Sequence, residues 1–324
     1  MATSNDRNDL TIPELLQRRS ALHTRLHSLP FAGTPEVKTD KDGRKYIYLR
    51  KRHVNKVTSN YVGVFSDDLY REVLSSTSQA RAIGKELRRV DRSLAKLGYS
   101  DTELSPRVQL NIDFARINMK ANIYDQAVLE GVATSFPQTE EIIDNGIVHG
   151  VQASDVQKIL NLKHAWEFLC EDGVAPSPTD FTILSTLAGI VNEGFYRNGG
   201  HIRPVPVRIG GTSYTPPLPD EFTVKETIRI LTNPSDETAT TTAIDVAIRL
   251  ALYVMRTQIF NDGNKRSGIL FANHYLISHG EGLLIVPENH VPEFKRLLVQ
   301  FYESNNESTI ANFLRTHCWL RFDS

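Results

Sequence analysis

The sequence predicts a mainly α-helical protein with a small α+β module at its N-terminus, and three observations carry that expectation. From Pro106 onward, apolar residues recur at three- and four-residue spacing through one segment after another, which is the mark of helices with a buried face. Before that point, Tyr46-Ile47-Tyr48-Leu49 and Tyr61-Val62-Gly63-Val64 are β-favouring runs close to an Asp42-Gly43 turn, a pattern suited to a small antiparallel sheet. The mixture of 40% hydrophobic and 23% charged residues is that of a chain able to bury a core.

A length of 324 residues suits about two domains, though one large domain would also fit. The first, residues 1–105, reads as an accessory module. It has an amphipathic helix over 11–29 with Leu15, Leu16, Leu22 and Leu26 on one side, then the sheet between Val37 and Val64. A long polar helix from Asp67 to Leu97, closed by Gly98, completes it. The second, residues 106–324, is expected to hold helices at 107–130, 137–145, 154–171, 179–194, 221–232, 240–257, 264–279, 290–304 and 307–315. One stretch departs from helix. Between Arg203 and Leu218, Val205, Val207 and Ile209 alternate ahead of Gly210-Gly211, which predicts a strand and a tight turn.

Bulk properties exclude several classes. The formal net charge of -1 gives the whole molecule no field that would gather nucleic acid or an anionic membrane. Cys170 and Cys318 stand far apart without CxxC spacing, which excludes a disulfide scaffold and a cysteine-rich zinc site and suits a reducing compartment. The opening MATSNDRNDL has no apolar stretch of signal-peptide length, and no run approaches the roughly 18 apolar residues of a membrane span. A cytoplasmic protein is expected, and a homodimer is left open. His317-Cys318-Trp319 lacks the further ligand pair that a metal site needs and reads as packing.

The chemistry concentrates in Gln258-Ile259-Phe260-Asn261-Asp262-Gly263-Asn264-Lys265-Arg266, a polar loop between two apolar helices. The free N–H groups at the start of the second helix, together with its dipole, favour an anion there. Gly263 allows a turn or a close backbone approach, and Lys265 and Arg266 add charge, Arg266 with a fork that matches phosphate oxygens. Asp262 is a hard oxygen donor of the kind that holds Mg²⁺ beside phosphates. An Asn-Asp-Gly-Asn turn with two capping residues is the bland alternative. It leaves unexplained why two cations open a helix where the dipole opposes them.

At these residues the chain resembles the Fic/Doc superfamily, whose motif is HxFx(D/E)GNGRxxR. Here the string is Gln258-x-Phe260-x-Asp262-Gly263-Asn264-Lys265-Arg266-x-x-Ile269, with the NKR ending of Doc toxins. Leu129-Glu130-Gly131-Val132, with Thr134 and Glu140-Glu141 following, resembles the helix bearing the family's (S/T)xxxE(G/N) inhibitory motif, although Gln126 opens it. Gly199-Gly200-x-x-Arg203 and Val207 to Pro217 resemble the family's β-hairpin flap. The resemblance covers about residues 107 to 304.

The resemblance implies a Fic-type helical bundle with a β-hairpin flap. It implies a transferase that moves AMP, another nucleotide moiety or phosphate from ATP or another nucleoside triphosphate to a protein hydroxyl, with Mg²⁺ at Asp262. Gln258 and Arg266 take the catalytic positions, while Phe260, Gly263, Asn264, Lys265, Arg266 and Glu130 surround the nucleotide. A target protein would dock along the flap at Val207, Ile209, Gly210, Gly211 and Thr212. Two departures bear on activity. Gln258 stands for the histidine that accepts the target's proton, and a glutamine amide has no useful basicity near pH 7. Ile269 stands for the second arginine, which leaves Arg266 as the nearest partner for Glu130. His201 and His274 are conceivable replacement bases, though nothing in their spacing recommends either.

Two other functions stay open. One is an inactive, nucleotide-binding relative that regulates through a partner. The other is a nucleic-acid-linked regulator working through residues 38–56, where Lys38, Lys41, Arg44, Lys45, Arg50, Lys51, Arg52 and Lys56 interleave with Tyr46 and Tyr48. The plain alternative for that stripe is a solvated hairpin whose long side chains cover its own face.

Overall fold

The computed structural model describes residues 12–27, 29–31, 33–53, 56–97, 104–146, 148–171, 173–233 and 241–322. Contacts divide the chain into two compact units, Met1–Ser100 and Asp101–Ser324.

In the first unit, α1 (Ile12–His27) lies against α2 (Asp67–Lys96), burying Leu15 and Leu22 among Ile83, Leu87, Val90 and Leu94. Ser66 caps α2, its hydroxyl accepting the Leu69 N–H, and Asp67 and Asp68 in the first turn suit the dipole. Between the helices, β1 (Thr34–Thr39), β2 (Lys45–His53) and β3 (Lys56–Val64) form an antiparallel sheet in that order. The β1–β2 turn is built by Asp40, whose Oδ1 accepts from the N–H groups of Asp42 and Arg44. Ile47 and Leu49 point inward onto Val73 of α2. The side chains of Lys51, Arg52 and Lys56, part of the basic run, lie outside the described residues.

The second unit is helical: α3 (Pro106–Ile117), α4 (Met119–Leu129), α5 (Phe136–Asn145), α6 (Ala153–Leu169), α7 (Phe181–Val191), α8 (Glu221–Thr232), α9 (Ala243–Thr257), α10 (Asn264–His279), α11 (Val291–Ser304) and α12 (Ser308–His317). At its centre α10 is buried on every side over Arg266–Ile277, packed by α9, α7, α3 and α6. A helix with no exposed face can only sit inside such a layer of neighbours. Leu283–Leu284 (β4) pairs antiparallel with Trp319–Leu320 (β5) and ties the C-terminus to the end of α10. Among the described residues, no helix is long and apolar enough to cross a membrane.

Two expectations need correction. The single helix expected over 107–130 is broken at Asn118 into α3 and α4. Asn118 has φ -93 and ψ 4, and its amide folds back to donate to the Phe114 carbonyl, the local side-chain bond by which Asn competes with helix. The strand-turn-strand expected between Arg203 and Leu218 is absent as a ladder: no strand is formed there among the described residues. Pro204, Pro206, Pro216, Pro217 and Pro219 delete the N–H donors that pairing would use. The tight turn does form, with Gly211 at φ 80.

Candidate functional site

α9 ends at Gln258, whose φ of 49 and ψ of 60 place a side-chain-bearing residue in the left-handed region. Both polar atoms of the Gln258 amide make a hydrogen bond. Its Nε2 donates to the Met255 carbonyl at 2.6 Å and its Oε1 accepts from Asn264 Nδ2 at 3.2 Å. Phe260 then drops its ring into the core with no exposed surface. Asn264 closes the loop from the other side, its Oδ1 accepting the Phe260 N–H at 2.9 Å and its Nδ2 donating to the Phe260 carbonyl at 2.8 Å. The Asn264 side chain, expected to face a phosphate, is thus spent on holding the loop's shape.

Gly263 starts α10 in the left-handed conformation, φ 73, and a Cβ there would lie 3.0 Å from Asn192 Oδ1 and 3.1 Å from Val191 Cγ2. Both conformation and space require glycine. The first-turn N–H groups of α10 have no carbonyl one turn behind them and open toward the loop. Asn192 is a site residue that the sequence reading missed. Its Nδ2 donates to the carbonyls of Asp262 (3.0 Å) and Gly199 (3.3 Å), joining the loop to the end of α7. Nothing in its local sequence distinguishes it from an ordinary helix-end asparagine.

The charges converge. Arg266 is buried; its guanidinium donates to the Val191 carbonyl at 2.9 Å and to Asp262 Oδ2 at 3.1 Å. Asp262 is half exposed, and Lys265 is one-third exposed. Glu130, at the C-terminal end of α4, brings its carboxylate 3.4 Å from Lys265 Nζ and 3.7 Å from Arg266 Nε, so it does reach the site. Gln126, one turn earlier, fixes that approach: its Nε2 donates to the Arg266 carbonyl at 2.9 Å while its Oε1 accepts from Trp166 Nε1 at 3.2 Å. Ile269 is packed in the core, 1% exposed. Three buried polar atoms cluster here without a hydrogen-bond partner: Glu130 Oε1, Arg266 Nε and Asn192 Oδ1. The carboxylate and its two cations attract across the gap without forming a hydrogen bond.

Arg203 anchors the segment that follows. Its guanidinium donates to the carbonyls of Gln258 (2.5 Å), Val205 (2.7 Å) and Pro217 (2.5 Å), and its own N–H to the Ile259 carbonyl at 2.9 Å. At the tip, Thr212 donates to Glu303 at 3.0 Å, Tyr214 stacks on Tyr302, and Arg256 lies 4.2 Å from the Tyr214 ring centroid. Burial and the nearby Glu130 carboxylate push the Tyr302 hydroxyl's pKa up.

His274 is not poised as a base. His274 is fully buried, bonded to Thr179 Oγ1 at 2.8 Å and the Val174 carbonyl at 3.0 Å, and burial lowers its pKa to about 4. His201 is exposed on the turn after Asn198. Burial raises the Cys170 and Cys318 thiols to about 12, so neither is a ready nucleophile.

Residues 180–276 match the family model described as the Fic/DOC family. Among solved structures, Fic-1 from C. elegans is similar at a TM-score of 0.53 and 18% identity, over 78% of this chain and 74% of that one. A Fic domain containing signaling protein from Bacteroides thetaiotaomicron is similar at 0.51 and 16%, over 66% of this chain and 86% of that one. A Fic family protein from Desulfovibrio desulfuricans gives 0.50 and 18%, over 68% and 65%. Likeness at such identities speaks to the fold. No curated protein sequence matches the chain.

Proposed function

We propose that the chain is a Fic/Fido superfamily protein, as its match to the Fic/DOC family model over residues 180–276 supports, and that it holds the phosphates of a nucleoside triphosphate, ATP in the simplest case, at the loop Phe260–Arg266. From there it passes a nucleotide moiety to a protein hydroxyl. One observation carries this reading. Glu130, Lys265 and Arg266 face one another at 3.4 and 3.7 Å, with no hydrogen bond at Glu130 Oε1 or Arg266 Nε. Two cations at the start of a helix oppose its dipole, and an internal carboxylate supplies the negative charge that balances them. A phosphate entering beside the free N–H groups of α10 would take over that role.

Asp262 fits a magnesium ion. Its carboxylate is half exposed, only Oδ2 accepts from Arg266, and Mg²⁺ commonly binds through one carboxylate while keeping waters and substrate phosphates as its other ligands. Bound there, Mg²⁺ would neutralise phosphate charge. The chain's own residues do the positioning. Asn264 and Gln258 fix the loop, Gly263 lets it pass beneath Asn192, Arg266 holds Asp262 in place, and Lys265 offers a cation. In the transfer the target oxygen forms a bond to the α-phosphorus, the α–β phosphoanhydride breaks, and pyrophosphate leaves. The hydroxyl proton passes to solvent, because Gln258 cannot take it. Slow transfer follows.

A second reading, nucleotide binding without transfer, is favoured by one feature: both polar atoms of the Gln258 amide are committed to Met255 and Asn264.

Titration calorimetry tests the shared premise. Asp262→Ala is expected to remove the Mg²⁺-dependent part of ATP affinity, a loss of tenfold or more (about 1.4 kcal/mol or greater); equal affinity with and without the carboxylate would end the metal assignment. Glu130→Gly has a two-sided signature. The variant alone should be less stable by about 1–3 kcal/mol, because Arg266 Nε and Lys265 lose their counter-charge. Magnesium ATP should then raise its melting temperature more than that of the wild type. An identical shift in both proteins would make Glu130 a purely structural residue.

A further inference from the structure

Alternation along β2 sends Ile47 and Leu49 inward onto Val73 and leaves Tyr46 and Tyr48 on the opposite face. The register sets Lys38 of β1 opposite Tyr46, and Tyr61 of β3 opposite Tyr48. The three rings form one group: Tyr48 and Tyr61 meet edge to face at 5.6 Å and Tyr46 lies 6.2 Å from Tyr61. Tyr61 is 56% exposed, so much of its ring stays open to solvent beside these two neighbours. Lys38 Nζ stands 4.7 Å from the Tyr48 ring centroid.

Charge on this module is concealed by the whole-chain figure. Residues 34–64 hold eight Lys or Arg against three Asp or Glu, a net +5, while the rest of the chain carries -6. Two of the three acids are already occupied: Asp40 accepts from Arg44, the Tyr46 hydroxyl and Asp42, bonds that keep its carboxyl below the usual range, and Glu36 Oε2 lies 3.6 Å from Lys38 Nζ. Arg50 shares the parity of Tyr46 and Tyr48 along β2, and Lys41 and Arg44 are exposed at the β1–β2 turn.

We propose that this face binds single-stranded nucleic acid, with unpaired bases stacking on Tyr61 and Tyr48 and phosphates taken by Lys38, Arg50 and the β1–β2 turn. Aromatic rings on a sheet, rimmed by cations, make a platform that accepts any base with an open π-face. Successive outward residues on a strand stand about 6.7 Å apart, so neighbouring rings can serve neighbouring bases. A folded acidic protein surface would satisfy the cations but leave Tyr61 unused. Duplex would do the same, because its bases are stacked on one another. Neither the Lys38–Tyr48 contact nor the exposed Lys38–Glu36 pair blocks the platform, since both are weak at an exposed site and the ammonium can swing to a phosphate.

The test uses the full-length protein and a fluorescent oligo(U) of about twelve nucleotides. Anisotropy should show binding that weakens about 50-fold between about 50 and 200 mM salt, the slope for about four phosphate contacts on a single strand. Tyr61→Ala and Tyr48→Ala should each weaken it about tenfold with circular dichroism unchanged, because both side chains point away from the core. Should either variant fail to fold, Lys38→Ala with Arg50→Ala should lower the salt slope by about 1.4 instead. Three results would overturn the proposal: no binding at low salt, equal or tighter binding of a duplex of the same length, or affinity indifferent to all four substitutions.

Discussion

Replacing Gln258 by histidine should raise transfer of label from α-labelled ATP to protein by about 10²–10⁴-fold, the usual contribution of a positioned general base. The position will accept the change. Its backbone has φ 49, a conformation that histidine adopts more readily than most side-chain-bearing residues. The loop also survives the loss of the glutamine, because Asn264 keeps both of its bonds to Phe260. What the substitution removes is the bond donated to the Met255 carbonyl at the helix end and the bond accepted from Asn264 Nδ2. Wild type and variant would be compared with Mg²⁺ and a lysate as target source, using ATP labelled at the α or at the γ phosphate. Labelling by the variant alone, from the α position, would mean a site that binds and orients but lacks its base. Transfer of γ label would redefine the reaction as phosphorylation. If neither protein labels a target while both bind ATP, the binding-only reading stands and the proposed transfer falls.

How much of this was legible in the sequence depends on the kind of signal. Helix spacing is a local property, so α9 and α10 and the loop between them follow from their apolar periodicity and the Asn-Asp-Gly-Asn run. Glu130 could be brought to the loop only through a family pattern, because nothing local links residues more than a hundred positions apart. Asn118 shows the limit of periodicity: the apolar pattern runs on through it while the side chain breaks the helix. In residues 203–218 the alternation of Val205, Val207 and Ile209 suggested a strand, but the prolines between and beyond them carry no N–H to pair. The roles of Asn264 and Arg266 were underdetermined for another reason. A polar side chain beside an anion site can bind the anion or hold the loop, and only the position of its partners decides. Here Asn264 turns to Phe260, and Arg266 turns to Val191 and Asp262. Asn192 gave no signal because its role lies in a contact 70 residues away.

Arg203→Met should destabilise the second unit by about 3–5 kcal/mol, the range for removing a buried charged group from a hydrogen-bonded network. Arg203 is 1% exposed, and burial lowers its pKa. Its counter-charge is a ring of carbonyl dipoles from Gln258, Val205 and Pro217. Methionine would fill much of the volume and supply none of the donors, leaving those carbonyls to find water or stay unpaired. Lysine should not rescue it, since a single ammonium cannot reach donor positions spread along a planar fork. At about 2–4 °C per kcal/mol the melting temperature should fall by roughly 10 °C, and protease should cut within residues 204–218 where the wild type resists. The loss would reach the site as well. The Gln258 carbonyl that Arg203 grips belongs to the residue held in a left-handed conformation, which costs about 1 kcal/mol or more when nothing enforces it. Magnesium ATP affinity should therefore weaken along with stability. An unchanged melting temperature would show that water replaces the guanidinium freely. Lower stability with undiminished ATP affinity would show that Arg203 pins the 204–218 segment without shaping the phosphate loop.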